Sequence, residues 1–406
     1  MYIKRHIEKA VLKRAEEKGA VVITGARQVG KTTLIENLKP DIARISFDDL
    51  AVRRSAIEEP GAFLDLNPPP VFIDEVQYAP QIFHQIKISL DKSKRKGEYF
   101  LTGSQSFELM KNVSESLAGR AGILQLMGVS LREMRNEEWN EPFLPTHDYL
   151  MKRKKCKKDL SVKEAWKIIH RGSMPELFVE QDFDWQNFYS DYVKTYIERD
   201  VRMLTQIADE MAFSKFMAIC ASMTGQMLNM ASIAGSVGIS EPTAKRWLSV
   251  LKTSGLVYLL NPYSNNAIKR AVKMPKIYFL DLGLAAYLSR WLTPETLSEG
   301  AVSGHFFESF VFAEILKSYT NAGIEESLYY LRNGNGQEID LLIFRDNTLY
   351  PFEIKQHSAP SSRDIKNFVM LEGIKGVRIG EGGVICLSPE LLPLKDGHKI
   401  IPLWAI

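Results

Sequence analysis

Near the N-terminus, Gly25-Ala26-Arg27-Gln28-Val29-Gly30-Lys31-Thr32 reads G-x-x-x-x-G-K-T. Glycines in such a loop let backbone N–H groups turn inward, which suits the oxygens of a phosphate chain. Lys31 would reach the β- and γ-phosphates, and the Thr32 hydroxyl would sit on Mg²⁺. The binding set is Gly25, Ala26, Arg27, Gln28, Val29, Gly30, Lys31, Thr32 and Thr33. Downstream, Pro70-Val71-Phe72-Ile73-Asp74-Glu75-Val76-Gln77 is an apolar run that turns acidic. Phosphoryl transfer needs such a pair: Asp74 to hold the Mg²⁺ shell, and Glu75 to orient or deprotonate the attacking water as general base. An acidic strand end alone is usually an exposed edge. Behind a phosphate loop at this spacing, the catalytic reading is preferred.

Those side chains need a scaffold, and the flanking sequence predicts one. Ala20 to Thr24 is a short β-branched run expected of a buried strand. Thr33 to Leu38 reads as the first turns of a helix broken at Pro40, whose dipole adds to the field at the loop. Ala43 to Asp49, Tyr99 to Ser104 and Ile123 to Leu126 read as further strands. Strands alternating with helical segments imply a parallel sheet covered on both faces, with nucleotide beyond the carboxyl ends of its strands. Ser104, or Gln105 beside it, stands where a polar group could lie between the two acids and the γ-phosphate; a plain strand-end turn is the alternative. Arg120 could act as an arginine finger on a neighbouring subunit's γ-phosphate, or could cap a helix or bind a carboxylate.

Taken together, G-A-R-Q-V-G-K-T, I-D-E-V-Q-Y-A-P, L-T-G-S-Q-S-F and S-L-A-G-R resemble a family of prokaryotic AAA-plus-like P-loop ATPases. Its members carry a C-terminal domain of unknown function related to restriction endonucleases. Y-V-K-T-Y-I-E-R-D, G-I-S-E-P-T-A-K-R-W, Y-F-L-D-L-G-L and E-I-D…E-I-K extend the resemblance over almost the whole chain. It implies ATP binding and hydrolysis, and leaves the biological role open.

In the middle, Met151 to Lys158 is a basic run of the kind that usually forms a solvated loop, with phosphate-backbone contact as the alternative. Ser161 to His170 and Trp185 to Leu204 have helical spacing, and Arg199 or Arg202 could sense nucleotide from this lid. Beyond Phe213 come three compact helical segments. Ser240 is a good N-cap with Pro242 in the following turn. Gly255 to Leu260 then reads as a strand, completing a winged-helix pattern, with basic Lys269, Arg270, Lys273 and Lys276 behind it. Such a module either contacts DNA or serves as a packing and protein-contact unit.

The last stretch predicts a helix from Ser303 to Tyr319, then strands Ser327 to Leu331, Glu338 to Ile343 and Leu349 to Lys355. Asp340 lies within one strand, and Glu353 and Lys355 share one face of the next. With Glu308 on the helix (Glu314 in reserve), this order resembles a restriction-endonuclease-like core. The resemblance implies Glu308, Asp340 and Glu353 as metal ligands, with Lys355 helping to activate water. An ordinary hairpin with outward polar residues is the alternative.

The fold class expected is α/β: a parallel-sheet, AAA-plus-like P-loop NTPase followed by a helical lid, a winged helix and a small α/β nuclease-like domain. The corresponding boundaries are 1–150, 151–210, 211–300 and 301–406. Net charge is +3 over 406 residues, too small to imply nucleic acid binding from the total. Cys156, Cys220 and Cys386 are far apart with no C-x-x-C pair, against a zinc ribbon or disulfide framework and in favour of a reducing compartment. No apolar run approaches bilayer length, and the start lacks a signal-peptide pattern, so a cytoplasmic protein without a membrane partner is expected. ATP and Mg²⁺ are the expected cofactors; double-stranded DNA and a second copy of the chain are candidate partners. Three outputs are compatible with these motifs: ATP-state control of DNA or partner binding, an ATP-regulated metal-dependent endonuclease, and a regulatory switch acting through protein contacts.

Overall fold

A computed structural model of the protein describes residues 2–103, 109, 113, 115–180, 182–196, 209–264 and 274–406. Strands β1 (Ala20–Thr24), β2 (Ala43–Ser46), β3 (Val71–Asp74), β4 (Tyr99–Thr102) and β5 (Ala121–Gln125) form a parallel sheet in the order β2-β3-β4-β1-β5. β1, β3 and β4 are buried along their whole length, as expected of apolar runs covered on both faces. Alternate residues divide between two cores. Val21 and Ile23 face helices Glu8–Glu17 and Lys31–Leu38. Val22, Ile73 and Leu101 face helices Leu50–Glu58, Pro60–Leu66 and Ile82–Ser93. The run expected to continue as strand to Asp49 stops at Ser46, because Asp49 turns away to cap the helix Leu50–Glu58.

Helices His147–Lys155, Val162–Arg171, Pro175–Val179 and Trp185–Tyr196 follow. The expected helical continuation to Leu204, with Arg199 and Arg202, lies outside the described residues. The basic run is not a solvated loop. Its Arg153 is buried inside a helix, 2.9 Å from Glu137 Oε2, and donates to the carbonyl oxygen of Trp404.

Helices Glu210–Ser222, Met230–Val237 and Glu241–Thr253 surround a small antiparallel sheet, β6 (Gln226–Met227), β8 (Lys276–Phe279) and β7 (Val257–Leu260) in that order. Ser240 caps the third of these helices, as its sequence predicts, and Trp247 packs edge-on against Phe213 and Phe216. Of the basic stretch behind this sheet, Lys269, Arg270 and Lys273 lie outside the described residues.

The C-terminal part is a mixed seven-stranded sheet. β9 (Leu328–Arg332), β10 (Glu338–Arg345) and β11 (Thr348–Lys355) form an antiparallel meander. β12 (Arg378–Ile379) and β13 (Gly383–Cys386) pair with β11, β15 (Lys399–Pro402) with β13, and β14 (Leu392–Pro393) with β15. Helix Ser303–Asn321 lies against this sheet, and sixteen residues along it are buried, covering every face. A helix that is apolar all round belongs inside. Three of its polar groups are tied to the N-terminal half: Glu314 accepts from the Leu131 N–H at 2.7 Å, Lys317 donates to Val129 O at 3.1 Å, and the Tyr319 hydroxyl donates to Phe143 O at 2.9 Å.

Candidate functional site

The glycine loop runs from the end of β1 into the helix Lys31–Leu38. At Gly25 a Cβ would lie 2.2 Å from the carbonyl oxygen of Leu126, so only glycine fits against the chain leaving β5. Gly30, with φ 92°, turns the backbone into the helix in the left-handed region. The Lys31 ammonium folds back over its own loop, donating to Gly25 O at 3.1 Å and Ala26 O at 2.8 Å.

The strand-end acids meet this loop. The Thr32 hydroxyl donates to Asp74 Oδ2 at 2.8 Å, bringing together two residues 42 apart in the chain. Asp74 is buried, and its other oxygen accepts from the Thr102 hydroxyl at the end of β4 and from the Glu75 N–H at 3.1 Å. Arg44, on the neighbouring strand, places Nη2 3.9 Å from Asp74 Oδ2 while pairing with Glu36. Glu75 has φ 52°, a left-handed conformation rare for a side chain of its size. That turn directs Glu75 to the wall of the loop's cavity, and the Gln77 side-chain amide donates to its Oε2.

A cavity of about 910 Å³ opens over the loop. Arg27, Gln28, Val29, Gly30, Lys31, Thr32, Thr33 and Glu75 line one side of it. Tyr2 and Ile3 supply part of the wall, and Pro175, Glu176, Val179, Glu180, Tyr192 and Thr195 close it from the helical region. Behind the loop, the buried Arg5 guanidinium donates to Val29 O at 2.9 Å, Met127 O at 2.7 Å and Gly128 O at 3.2 Å, and pairs with Glu133 at 3.2 Å. Burial works against charge on Glu133, but Arg5 and two backbone N–H donors outweigh it and hold the carboxyl below the usual range. Sequence reading missed Arg5, Thr102 and Gln77, whose partners become apparent only in the folded chain. Tyr192 is both buried and part of the cavity wall.

Ser104 and Gln105 lie outside the described residues. Arg120 sits at the other end of the sheet, where its carbonyl accepts from the N–H of Ala20 at the start of β1. Its guanidinium grips Asp91 in two places, at 2.5 and 3.0 Å, and does not line the cavity of its own chain. The carboxylate-binding alternative for Arg120 is what the fold contains.

In the C-terminal part, Asp340, Glu353 and Lys355 come together on β10 and β11. The Lys355 ammonium lies 3.1 Å from Asp340 Oδ2 and 2.7 Å from Glu353 Oε2. Glu308 joins through Lys276, which is 2.9 Å from it and 2.5 Å from Glu338. Burial pushes Glu308 up to about 7, against the pull of Lys276. Burial and the neighbouring Asp340 push Glu353 up to about 9, against the pull of Lys355. Asp340 goes the other way: burial is outweighed by Lys355 and Lys276, which hold it below the usual range. Among the described residues, no three or more His, Cys, Asp or Glu side chains are arranged to hold a metal ion. The oxygens of Glu308, Asp340 and Glu353, the residues expected to hold a metal, face the chain's own ammonium groups, Lys276 and Lys355. Glu314, the reserve, is bound to Lys317 and the Leu131 N–H.

The profile of the AAA domain family matches residues 17–135, the segment holding the parallel sheet, the glycine loop and the Asp74–Glu75 strand end. Fold, loop and match define an AAA-like P-loop ATPase domain. Two domain families of unknown function match further along, DUF8612 over residues 162–295 and DUF4143 over residues 303–406. An uncharacterized protein of Mycobacterium tuberculosis, Rv2008c, is 28% identical over 406 residues, spanning 99% of this chain and 84% of its own. The uncharacterized protein MJ1544 of Methanocaldococcus jannaschii is 24% identical over 348 residues, spanning 80% of this chain and 72% of its own. Among solved structures, the Walker-type ATPase PABY2304 of Pyrococcus abyssi overlays with a TM-score of 0.46 at 14% identity, covering 71% of this chain and 96% of that one. The RuvB Holliday junction branch migration motor of Thermotoga maritima overlays with a TM-score of 0.29 at 15% identity, covering 62% and 88%. No helix among the described residues is long and apolar enough to cross a membrane.

Proposed function

We propose that the chain binds and hydrolyses ATP with Mg²⁺ and passes its nucleotide state to the C-terminal half. The observation that carries this reading is the 2.8 Å hydrogen bond from Thr32 to Asp74 beside the cavity. It joins the loop hydroxyl to the strand-end carboxylate, the two oxygens suited to one hard cation and its waters. Bound there, Mg²⁺ would neutralise charge on the β- and γ-phosphates. Lys31 would leave the Gly25 and Ala26 carbonyls for those phosphates, the loop N–H groups would cradle them, and Glu75, freed from Gln77, would orient the attacking water.

Transmission to the C-terminal half is supported by the stretch from Met127 to Glu133. Arg5, which also donates to Val29 of the phosphate loop, holds it from one side, and Glu314 and Lys317 of the helix Ser303–Asn321 hold it from the other. The residues from 162 to 196 act in this reading as a lid. The three helices and small sheet from Glu210 to Phe279 are a winged helix that offers DNA or a protein partner its surface. Non-nuclease output is preferred over DNA cleavage, since the Asp340–Glu353–Lys355 group is neutralised by lysines. The test is steady-state ATP turnover with Mg²⁺. Lys31→Ala abolishes binding or turnover of ATP if the reading holds; wild-type turnover in that variant overturns it.

A further inference from the structure

Lys276 belongs to β8 of the middle sheet, yet its carboxylate partners Glu308 and Glu338 belong to the C-terminal part. Its side chain is 4% exposed, so its charge depends on those partners. Tyr278, two residues on and on the same face of β8, donates to the same Glu308 oxygen at 2.6 Å. From β9, the ring of Tyr330 lies 5.7 Å from the ammonium, and its hydroxyl donates to Met274 O just ahead of β8. Burial opposes the charge on Lys276, but Tyr278, Glu308, Asp340 and Glu338 around it hold the ammonium well above the ordinary lysine range. His305 and Glu308 face this group from the long helix, Arg332 pairs with Glu338 from β9, and Glu353 and Lys355 adjoin Asp340 from β11.

We propose that this cluster is a metal-free latch, in which Lys276 is the resident cation and fastens the middle three-stranded sheet to the C-terminal sheet. An ammonium has three donors to distribute among surrounding acceptors, and here they gather carboxylates from the helix Ser303–Asn321 and from β10. A second ammonium, Lys355, does the same for Asp340 and Glu353. Each carboxylate group is therefore organised around a cation of the chain itself. Movement of the middle sheet against the C-terminal part must first separate Lys276 from Glu308 and Glu338.

The experiment uses the full chain carrying Thr32→Ala and Asp74→Asn, so that the nucleotide site contributes no metal signal. Mn²⁺ is titrated and followed by electron paramagnetic resonance, and hydrogen exchange is read peptide by peptide. With the latch as described, no Mn²⁺ binds below about 1 mM, the weak end for oxygen sites. Lys276→Met speeds exchange in residues 276–279 and 303–312 by about tenfold or more while the parallel sheet is unchanged. Tyr278→Phe, which deletes one hydroxyl, speeds the same segments by about threefold, and serves if Lys276→Met does not fold. Tight Mn²⁺ binding that Asp340→Asn removes overturns the proposal, as does unaltered exchange in whichever variant folds. None of these readouts involves ATP turnover, so their failure is distinct from failure of the ATPase reading.

Discussion

The buried guanidinium of Arg5 donates to the backbone carbonyl of Val29 at 2.9 Å, so a residue ahead of the first strand supports the phosphate loop from behind. The same side chain reaches Met127 O, Gly128 O and Glu133. Loop conformation and the exit of β5 are thereby set by one group. Arg5→Ala leaves Glu133 buried without its main partner and is expected to cost about 3–5 kcal/mol. Arg5→Lys restores the charge without the planar fork and recovers only part of that. Thermal melting and nucleotide binding together check this: both fall for Arg5→Ala, and a melt within error of wild type contradicts it.

Glu75→Gln keeps the shape of the strand end and removes the base. ATP affinity is expected to stay within about twofold while turnover falls by about 10²–10⁴, the usual range for general base catalysis. Fluorescent-nucleotide titration and phosphate release measure the two separately. Undiminished turnover would move the water-orienting role to another residue.

Removing the Thr102 hydroxyl strips one donor from Asp74 without changing side-chain volume much. Thr102→Val is expected to cost about 1.5–3 kcal/mol, the range for a hydrogen bond to a charged group, and to raise the Mg²⁺ concentration needed for half-maximal turnover. Mg²⁺ titration of activity reads it directly; an unshifted midpoint contradicts the role given to this threonine.

Arg120 pairs with an exposed Asp91 far from the cavity. Arg120→Ala is expected to leave stability nearly unchanged, since solvent screens an exposed pair, and to leave turnover per chain unaltered across protein concentrations. A concentration-dependent loss of turnover in this variant would instead make it a finger supplied to a second chain.

Glu308 and Glu353 both have folded values raised above the ordinary 4.5, to about 7 and about 9. Groups raised in this way favour the folded chain fully below the unfolded value, and that contribution is lost as pH rises through the folded one. Asp340 is lowered, so its contribution is present above 3.8 and disappears only in acid. Melting temperature is therefore expected to decline from about pH 4.5 to about pH 9. Glu308→Gln should flatten the first part of that decline. Melts at constant ionic strength check it, and a rising wild-type curve over this range contradicts the sign.

What was legible in the sequence was local. The glycine loop, the strand it leaves and the helix it enters are contiguous, and their geometry follows from residue type at fixed spacing. Asp74 and Glu75 were legible because an apolar run ends on them behind that loop. Arg5 was not, since its contacts at Met127 and Gly128 lie 122 and 123 residues away. Charge at an N-terminus looks solvated until the fold encloses it. Lys276 read as one of several basic residues behind a wing, and only the long helix and β10 reveal it as a buried ion. Arg153 misled in the same way: six basic residues within eight suggest water, yet one of them points inward.

Helix Ser303–Asn321 is covered on every side, and its cover comes from both halves of the chain. During synthesis the nucleotide half emerges before this helix exists, so the surface that will receive it stays uncovered until more than three hundred residues have been made. The parallel sheet can close early; the groove for the long helix cannot. Completion of the ATPase half is thus deferred to a segment translated well after it, and the newborn chain passes through a stage with an exposed apolar seam.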